Sequence, residues 1–317
     1  MGSNRVIVQV GDVAETRRRI ERLLGCTDAD LRFAKSETIS TTELGDRVIH
    51  DLRFEMHDGE AVPAWFVQPL GCSAPCPAIL YLHAHGARYD IGRAELFDGR
   101  PALQLPYIDD LVGAGLAVLC IEMPGFGARQ VPNESARSKA HLWHGTTLYG
   151  RMIHELRCGL TFLSDHGAID PKRIGTLGIS MGGTQAFWLA ALDERVAASV
   201  SLCAFADLAC LIETGEHDKH GHYMTVPGLV AETSTGALAG LAAPRPQFFG
   251  VGMKDWSSPP ICFEKARAEI ERIYNDRDAR DALFFHVETE AGHEETAAMR
   301  GAVLSFLRQT LSSPTSP

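Results

Sequence analysis

The stretch Arg173–Gly183 reads R-I-G-T-L-G-I-S-M-G-G and decides the fold. Its apolar run Ile174–Ile179 predicts a buried strand, and the run Thr184–Leu192 that follows predicts a buried helix. Between them, residues 178–182 fit G-x-S-x-G, the pattern of a serine on a sharp strand-to-helix turn. Glycines are needed there because side chains two residues either side of the serine would clash, and glycine has no Cβ. The stretch predicts a nucleophile at Ser180, with an ordinary glycine-rich turn as the alternative.

The rest of the chain alternates strand-like and helix-like segments. A hairpin is predicted from Val48–Met56 and Val62–Val67, and helices from His154–Ser164 and Ala297–Leu311. Short apolar runs, typical of strands buried on both faces of a sheet, occur at Ala78–Leu82 and Leu116–Ile121, and further strands are predicted at Ala197–Cys203, Gln247–Val251 and Leu283–Glu288. A hairpin followed by repeated β-α units predicts an α/β fold with a mostly parallel central sheet and helices on both faces.

The predicted organisation is one catalytic domain with an addition at each end. Residues 1–45 are predicted to form an N-terminal helical extension, in which 12–24 make an amphipathic helix with Asp12 as its N-cap. The catalytic domain is placed at residues 46–311. Residues 312–317 are predicted to be a flexible tail.

Two long connections interrupt the alternation, at about 88–109 and 206–245. Both follow the carboxyl ends of predicted strands, where open α/β sheets bind ligands. We therefore expect both insertions to form walls of the functional site, with residues 88–93 among the lining. Five aromatic residues fall in candidate loop positions, namely Phe126, Trp143, Tyr149, Tyr223 and Trp256.

Composition and charge exclude several classes of partner. The chain has 317 residues and a formal net charge of −10, which argues against a nucleic-acid surface, since phosphate binding needs clustered Lys and Arg. No stretch approaches the length of a membrane span, and no signal peptide is visible. We expect a cytoplasmic protein without membrane or nucleic-acid partners, whose eight cysteines are reduced thiols.

A serine nucleophile needs a base, and the base needs an orienting acid. His293 lies in a short loop beyond the last predicted strand, where the order Ser…Asp…His places the base. Asp255 follows the preceding strand, in a loop ended by two prolines, and is the favoured acid. Asp207 follows the strand before that and is the alternative acid, with a helix-capping role as its more ordinary explanation.

The oxyanion formed during acyl transfer needs two fixed N–H donors. One is predicted at Met181, the residue after the nucleophile. The other is predicted at Ala87, in the loop after the third predicted strand, where Gly86 permits a sharp turn.

Several His and Cys spacings superficially suggest a metal site. The pair His83 and His85 is expected to hold its loop by hydrogen bonds, since no carboxylate lies at matching spacing. The remaining candidates are Cys72 with Cys76, which lack a second pair, and the H-x-x-H-x-H set of His217, His220 and His222. We expect no metal and no organic cofactor.

Seven motifs together resemble a known family. They are L-H-A-H-G-A at 82–87, E-M-P-G-F-G at 122–127, G-I-S-M-G-G at 178–183, V-P-G-L-V at 226–230, A-P-R-P at 243–246, M-K-D-W-S-S-P at 253–259 and A-G-H-E-E-T at 291–296. The chain resembles the α/β-hydrolases, and more narrowly the dienelactone hydrolase-like and acetyl xylan esterase-like serine hydrolases. The resemblance implies Ser180 as nucleophile, Asp255 as acid and His293 as base. Dienelactone hydrolases proper use a cysteine nucleophile, so the serine here favours ordinary ester hydrolysis.

The predicted activity is hydrolysis of small carboxylic esters through an acyl-enzyme intermediate. One alternative keeps the triad and cleaves a C–C or amide bond. Another is a non-catalytic ligand-binding protein on the same scaffold. The helix predicted at 12–24 is a candidate surface for packing against a second copy, so a homo-oligomer is considered.

Overall fold

The computed structural model describes residues 13–26, 30–71 and 75–312. Nine strands form one sheet in the order β1-β2-β3-β5-β4-β6-β7-β8-β9. The strands are β1 Lys35–Leu44, β2 Arg47–Glu55, β3 Ala61–Pro69, β4 Cys76–Leu82, β5 Ala117–Ile121, β6 Ile169–Ile179, β7 Val196–Leu202, β8 Gln247–Gly252 and β9 Leu283–Glu288. Strands β1, β2, β3 and β5 pair antiparallel in succession, and every pairing from β5 through β4 to β9 is parallel. The predicted mostly parallel sheet is confirmed.

Helices cover both faces of the sheet. They are α1 Val13–Leu24, α2 Glu95–Asp98, α3 Ile108–Gly113, α4 Glu134–Trp143, α5 Leu148–Asp165, α6 Met181–Leu192, α7 Leu208–Thr214, α8 Leu229–Glu232, α9 Thr235–Gly240, α10 Pro260–Asn275 and α11 Ala297–Leu307. One hydrophobic cluster joins the sheet to α5, α6 and α10, and a second joins it to α3 and α11. The central strands β4 and β5 are buried along their whole length, which is why they read as unbroken apolar runs.

The edge strand β1 was not predicted. All ten of its residues are exposed, and its sequence K-S-E-T-I-S-T-T-E-L has no buried face to mark it. It lies within the predicted extension 1–45 yet pairs with β2 from Lys35 to Leu44. The division of the chain into an extension and a catalytic domain stays a prediction, and the predicted tail from 313 onward lies outside the described residues.

Helix α1 begins at Val13 in the described part, close to the predicted start, and the predicted cap Asp12 lies outside the described residues. Its apolar side belongs to the main hydrophobic cluster, where Ile20 and Leu24 are fully buried. The Arg17 side chain donates a hydrogen bond to the Ala191 carbonyl on α6 at 2.7 Å. The apolar face of α1 therefore packs on its own chain.

The expectation of reduced thiols fails at one pair. Cys210 on α7 and Cys262 on α10 form a disulfide, with their Cα atoms 5.3 Å apart. The two residues are 52 positions apart in sequence, so no local spacing of cysteines could predict the disulfide. In the described part of the chain, four further cysteines are free thiols, namely Cys26, Cys120, Cys158 and Cys203. Among helices of the described ranges, none has the length and apolar character to cross a membrane.

Candidate active site

Ser180 occupies the turn between β6 and α6. Its backbone has φ 58° and ψ −120°, a region that non-glycine residues rarely adopt. The Ser180 N–H donates to the Leu202 carbonyl at the end of β7, 2.8 Å away, which fixes the turn against the neighbouring strand. The predicted strand–turn–helix context is confirmed, with the helix starting at Met181 rather than at Thr184.

The two glycines of the turn are required by close backbone approach. A Cβ at Gly182 would lie 1.9 Å from the Leu82 carbonyl oxygen, at the end of β4. A Cβ at Gly178 would lie 2.4 Å from the carbonyl carbon of Gly182. Both distances are below any real contact, and backbone cannot swing aside as a flexible side chain can. The G-x-S-x-G pattern is therefore a steric requirement of this turn.

His293 and Asp255 lie in the loops that follow β9 and β8, and the structure brings them together. The His293 Nδ1 atom is 2.9 Å from Oδ1 and 3.0 Å from Oδ2 of Asp255, whose side chain is fully buried. Asp255 Oδ1 also accepts hydrogen bonds from the backbone N–H of Ser257 at 2.7 Å and from its hydroxyl at 2.8 Å. The carboxylate is thus held by several donors and can orient the imidazole.

Ser257 was not singled out by the sequence. Its Oγ lies 3.0 Å from His293 Nδ1 as well as beside Asp255. The signal available was position alone, two residues beyond a candidate acid in a loop that ends in two prolines. It is a polar neighbour of the imidazole at the Nδ1 atom.

The loop that carries His293 is anchored by Glu295. The Glu295 side chain is buried and accepts from Arg300 Nη1 and from the Gln104 N–H, each at 3.0 Å. The Glu295 N–H donates to the Ala102 carbonyl at 2.8 Å. The insertion 88–109 therefore supports the histidine loop from behind. The expectation that this insertion lines the cavity is wrong, because none of residues 88–109 is among the lining residues, and its Ala102 and Gln104 contact Glu295 instead.

Asp207 has the capping role that was weighed against an acid role. Its side chain accepts from the Cys210 N–H at 3.0 Å at the start of α7, and Lys265 Nζ lies 2.6 Å from its Oδ1. A carboxylate engaged in this way orients a helix and an ammonium group. It makes no hydrogen bond to His293 in the described structure.

The loop at residues 83–87, which carries the predicted second oxyanion donor, contains a hydrogen bond that competes for that donor. Met181 is the first residue of α6, so its N–H is one of the helix donors without a partner inside the helix. Ala87 has φ 53°, and its N–H donates to His85 Nδ1 at 3.0 Å. The role of Ala87 as second oxyanion donor stays a prediction, because its N–H already has an acceptor.

A carboxylate distant in sequence holds His85. The His85 Nε2 atom is 2.5 Å from Glu134 Oε2, and the Tyr89 hydroxyl donates to the same oxygen at 2.8 Å. Glu134 Oε1 accepts from the Tyr223 N–H at 2.8 Å. Burial raises the pKa of Glu134, but the hydrogen bonds from His85, the Tyr223 N–H and the Tyr89 hydroxyl outweigh it and hold that pKa below its usual value. The prediction that hydrogen bonds hold this loop is confirmed, with Glu134 as the unforeseen partner.

His83 is buried behind the same loop. Its Nε2 accepts from the Met123 N–H at 3.1 Å, and its Nδ1 donates to the Ala84 carbonyl at 3.2 Å. Burial lowers the pKa of His83 to about 3, so the imidazole is neutral in the folded protein. Its role is to hold the loop.

The histidine set of the 206–245 insertion does not converge. His217 and His222 are exposed, whereas His220 lines the cavity with its ring 6.1 Å from that of Trp256. In the described ranges, the only three metal-ligand side chains whose donor atoms all lie within 4.8 Å of one another are Cys203, Asp255 and His293. That group contains the candidate acid and base. Cys203 donates to the Glu294 carbonyl at 3.5 Å, and burial raises the pKa of its thiol.

A cavity of about 560 Å³ contains Ser180 and His293. His85, Gly86 and Ala87 form one edge, and the insertion 206–245 forms much of the wall, as expected. Of the five aromatic candidates, Tyr149, Tyr223 and Trp256 line the cavity, whereas Phe126 is buried elsewhere and Trp143 is exposed. Sequence reasoning missed the apolar lining from α6 to α9, which consists of Phe187, Trp188, Leu208, Leu211, Met224, Leu229 and Leu238.

The sheet order, the strained serine between β6 and α6, and the His–Asp pair at the ends of β9 and β8 define an α/β-hydrolase fold. Solved structures agree at the level of the fold. An acetyl xylan esterase from Paenibacillus sp. R4 is similar with a TM-score of 0.67 and 17% identity, covering 95% of each chain. A glucuronoyl esterase from Solibacter usitatus is similar with a TM-score of 0.69 and 14% identity, covering 94% of this chain and 91% of the other.

The sequence comparisons assign the family. The profile of the acetyl xylan esterase (AXE1) family matches residues 24–220, more than half of the chain. A relative from Bacillus subtilis (strain 168), named “Putative hydrolase YtaP”, is 37% identical over 299 residues, which cover 94% of this chain and 99% of the relative. The chain belongs to the acetyl xylan esterase family and is a carboxylic ester hydrolase.

Proposed function

We propose that this esterase works through Ser180 as nucleophile, His293 as general base and Asp255 as orienting acid. The observation that carries the proposal is the His293–Asp255 pair, at 2.9 Å, in the same cavity as a serine with strained backbone. A buried carboxylate on Nδ1 fixes the tautomer of the imidazole and stabilises its protonated form. The Nε2 atom is then left as the base.

Each residue has a defined part in the reaction. Ser180 Oγ attacks the ester carbonyl carbon while His293 takes its proton, giving a tetrahedral intermediate. His293 then gives that proton to the departing alcohol, and the acyl group stays on Ser180. In the second half, His293 takes a proton from water, which attacks the acyl-enzyme and releases the carboxylic acid.

The negative charge on the carbonyl oxygen is stabilised by backbone donors. Met181 supplies one N–H at the start of α6, where the helix dipole adds a favourable field. Ala87 is the proposed second donor. Its N–H is shared with His85 Nδ1 in the substrate-free protein, so binding of the oxyanion draws this hydrogen bond away from the imidazole.

The proposal is tested by removing the nucleophile. Ser180→Ala is expected to lower kcat on p-nitrophenyl acetate by at least about 10⁴-fold, because the acyl-enzyme cannot form. The matched control is Ser305→Ala on α11, which removes a hydroxyl at an exposed position outside the cavity lining and leaves the candidate triad in place. Circular dichroism and thermal unfolding check that both variants fold. Full activity of Ser180→Ala would contradict the mechanism.

We further propose that the substrate is a small ester and that the protein acts in the cytoplasm. The names of the relatives support an ester substrate, and the four free thiols Cys26, Cys120, Cys158 and Cys203 in the described ranges support a reducing compartment. The Cys210–Cys262 disulfide is the observation that opposes a cytoplasmic location. Thiol titration of the protein purified under non-reducing conditions from cytoplasmic expression tests this. A persisting bond between these two residues counts against a reduced protein.

A further inference from the structure

One end of the cavity is an apolar chamber, lined by Tyr149, Phe187, Trp188, Leu208, Leu229 and Leu238. Its aromatic residues come from α5 and α6 and its leucines from the insertion 206–245. Among the described residues that line the whole cavity, no Asp, Glu or Arg is present, and Lys219 is the only Lys. The chamber therefore offers a surface suited to hydrocarbon.

Three hydroxyl groups around the chamber already donate to protein acceptors, and a fourth accepts from a backbone N–H. Thr184 donates to the Ser180 carbonyl at 3.3 Å, Thr233 donates to the Ser234 carbonyl at 3.2 Å, Ser234 donates to Glu269, and Thr235 accepts from the Leu208 N–H at 3.0 Å. Two buried polar atoms of the cavity lining, the Tyr149 hydroxyl and His220 Nε2, have no hydrogen-bond partner in the described structure. A sugar ring needs many donors and acceptors, and leaving its hydroxyls unpaired in a buried site is unfavourable. The walls therefore disfavour a carbohydrate in the chamber.

The two ends of the cavity differ in exposure, which separates the two halves of an ester. The departing alcohol must lie next to His293, which protonates it. The Trp256 ring lies 5.1 Å from that imidazole and is 48% exposed, so this end opens to solvent. At the other end the rings of Tyr149 and Trp188 lie 4.9 Å apart, and both residues are buried. The acyl group therefore extends into the apolar chamber.

An acetyl group is too small for this space. A cavity of about 560 Å³ falls in the range of pockets that enclose whole small-molecule ligands. With acetyl bound, water would remain against the apolar walls. Each further methylene that replaces such water adds a favourable contribution worth up to about fourfold in binding.

We propose that the preferred substrate carries an apolar acyl group of about six to eight carbons, rather than the acetyl group of a polysaccharide. The inference rests on the proposed function, because it assumes that Ser180 is acylated. It concerns only which acyl group is transferred. The same chamber accommodates a compact aromatic acyl group of similar size.

The test is the dependence of kcat/KM on acyl length. Wild-type enzyme is assayed with p-nitrophenyl acetate, butyrate, hexanoate and octanoate below their micellar concentrations, and with acetylated xylo-oligosaccharides. We expect kcat/KM to rise at least tenfold from acetate to hexanoate or octanoate, and to be lowest for the acetylated sugar. A profile that falls with length, or faster deacetylation of the sugar than of the long esters, overturns the inference.

A substitution in the cavity wall tests whether the chamber causes the preference for a long acyl group. Ala209 on α7 is half-buried and lines the cavity, so Ala209→Phe fills part of it. We expect the octanoate-to-acetate ratio of kcat/KM to fall at least tenfold. The matched control is Ala231→Phe on α8, an exposed position outside the lining, which keeps the wild-type ratio. An unchanged ratio in a folded Ala209→Phe variant counts against the proposal, and the wild-type profile decides if that variant does not fold.

Failure of this inference differs from failure of the proposed function. If esters are hydrolysed with acetate preferred, the acyl assignment is wrong and the triad stands. If no ester is hydrolysed and Ser180→Ala matches wild type, the proposed function and the acyl assignment both fall.

Discussion

The Nδ1 atom of His293 lies between the two carboxylate oxygens of Asp255, 2.9 Å from one and 3.0 Å from the other. Asp255 is fully buried, whereas the imidazole is 15% exposed and borders the cavity. A buried carboxylate in contact with one ring nitrogen leaves the other nitrogen to act on substrate. This relationship favours Asp255 over Asp207 as the proposed acid, because Asp207 caps α7 and binds Lys265 instead.

Replacing Asp255 by Asn should impair catalysis far more than the same change at Asp207. Asp255→Asn removes the charge that stabilises the imidazolium, and we expect kcat to fall by about 10²–10⁴-fold with KM little changed. Asp207→Asn keeps a capping side chain and should retain kcat within about threefold. Steady-state kinetics on p-nitrophenyl butyrate measures both. Equal losses in the two variants would contradict the assignment of Asp255.

Gly182→Ala should destabilise the protein by about 1–3 kcal/mol and lower activity, because its methyl group would meet the Leu82 carbonyl oxygen at 1.9 Å. The backbone of β4 or α6 must shift to relieve that contact, and the shift displaces Ser180. The matched control is Gly301→Ala in α11, where nothing lies within 4 Å of an added Cβ. That change should stabilise its helix by up to about 1 kcal/mol. Urea unfolding compares the two, and a neutral Gly182→Ala would contradict the steric account.

Glu134→Gln should reduce kcat by about tenfold with little effect on KM. The carboxylate holds His85, and His85 in turn engages the N–H of Ala87. Loss of the charge loosens that imidazole and misplaces the proposed oxyanion donor, which acts mainly in the transition state. The exposed Glu37 on β1 provides the control, since Glu37→Gln touches nothing near the cavity. Unchanged kcat in Glu134→Gln would argue that Ala87 takes no part.

His83 should make the protein less stable as the pH falls below neutrality. The pKa of His83 in the folded protein is about 3 because burial disfavours the charged form. In the unfolded chain His83 binds a proton below about pH 6.5, whereas in the folded protein it stays neutral at that pH. Unfolding is then increasingly favoured from about pH 6.5 downward, by at most about 1.4 kcal/mol per pH unit from this group. His83→Gln should flatten the dependence between pH 6.5 and 5.

The titratable and charged neighbours of His83 are present in both the wild type and His83→Gln. The difference between the pH slopes of their unfolding free energies therefore reports on the His83 imidazole alone. These neighbours include Glu122, with Oε1 4.0 Å from His83 Nε2, and the cations Arg100 and Arg129, with His85 alongside. The free energy of unfolding is measured by urea titration at each pH. His144→Gln at the surface is the control, and identical slopes for wild type and His83→Gln would refute this origin of acid sensitivity.

Local sequence signals predicted the strands from β4 to β8 because these strands are mostly buried, and they predicted the partly exposed edge strand β9 because its sequence L-F-F-H-V-E is largely apolar. Each of β4 to β9 lies on or overlaps a run marked in advance, and the candidate nucleophile, acid and base follow the ends of three of them. The edge strand β1 was not predicted because its residues are exposed and mostly polar, and they show no alternation of apolar and polar positions that marks a strand. Apolar patterns predict strands whose side chains are apolar, and they fail for a strand such as β1 whose side chains are mostly polar and exposed.

Contacts between distant segments could not be predicted. The His85–Glu134 pair spans 49 residues, and the Cys210–Cys262 disulfide spans 52. The chamber was equally hidden, because every residue of α6 is buried and nothing in T-Q-A-F-W-L-A-A-L tells which side chains face a cavity and which face the sheet. The two insertions looked alike in sequence, yet 206–245 lines the cavity and 88–109 holds the histidine loop.

The most direct test of the account is covalent labelling of the nucleophile. Folded wild-type protein is treated with a fluorophosphonate probe, digested and analysed by mass spectrometry, beside Ser180→Ala and His293→Ala. We expect one adduct in wild type, on the peptide that contains Ser180, with none in Ser180→Ala and labelling at least about 10²-fold slower in His293→Ala. Adduct formation on another residue, or undiminished labelling of folded Ser180→Ala, would contradict the assignment of Ser180 as the nucleophile.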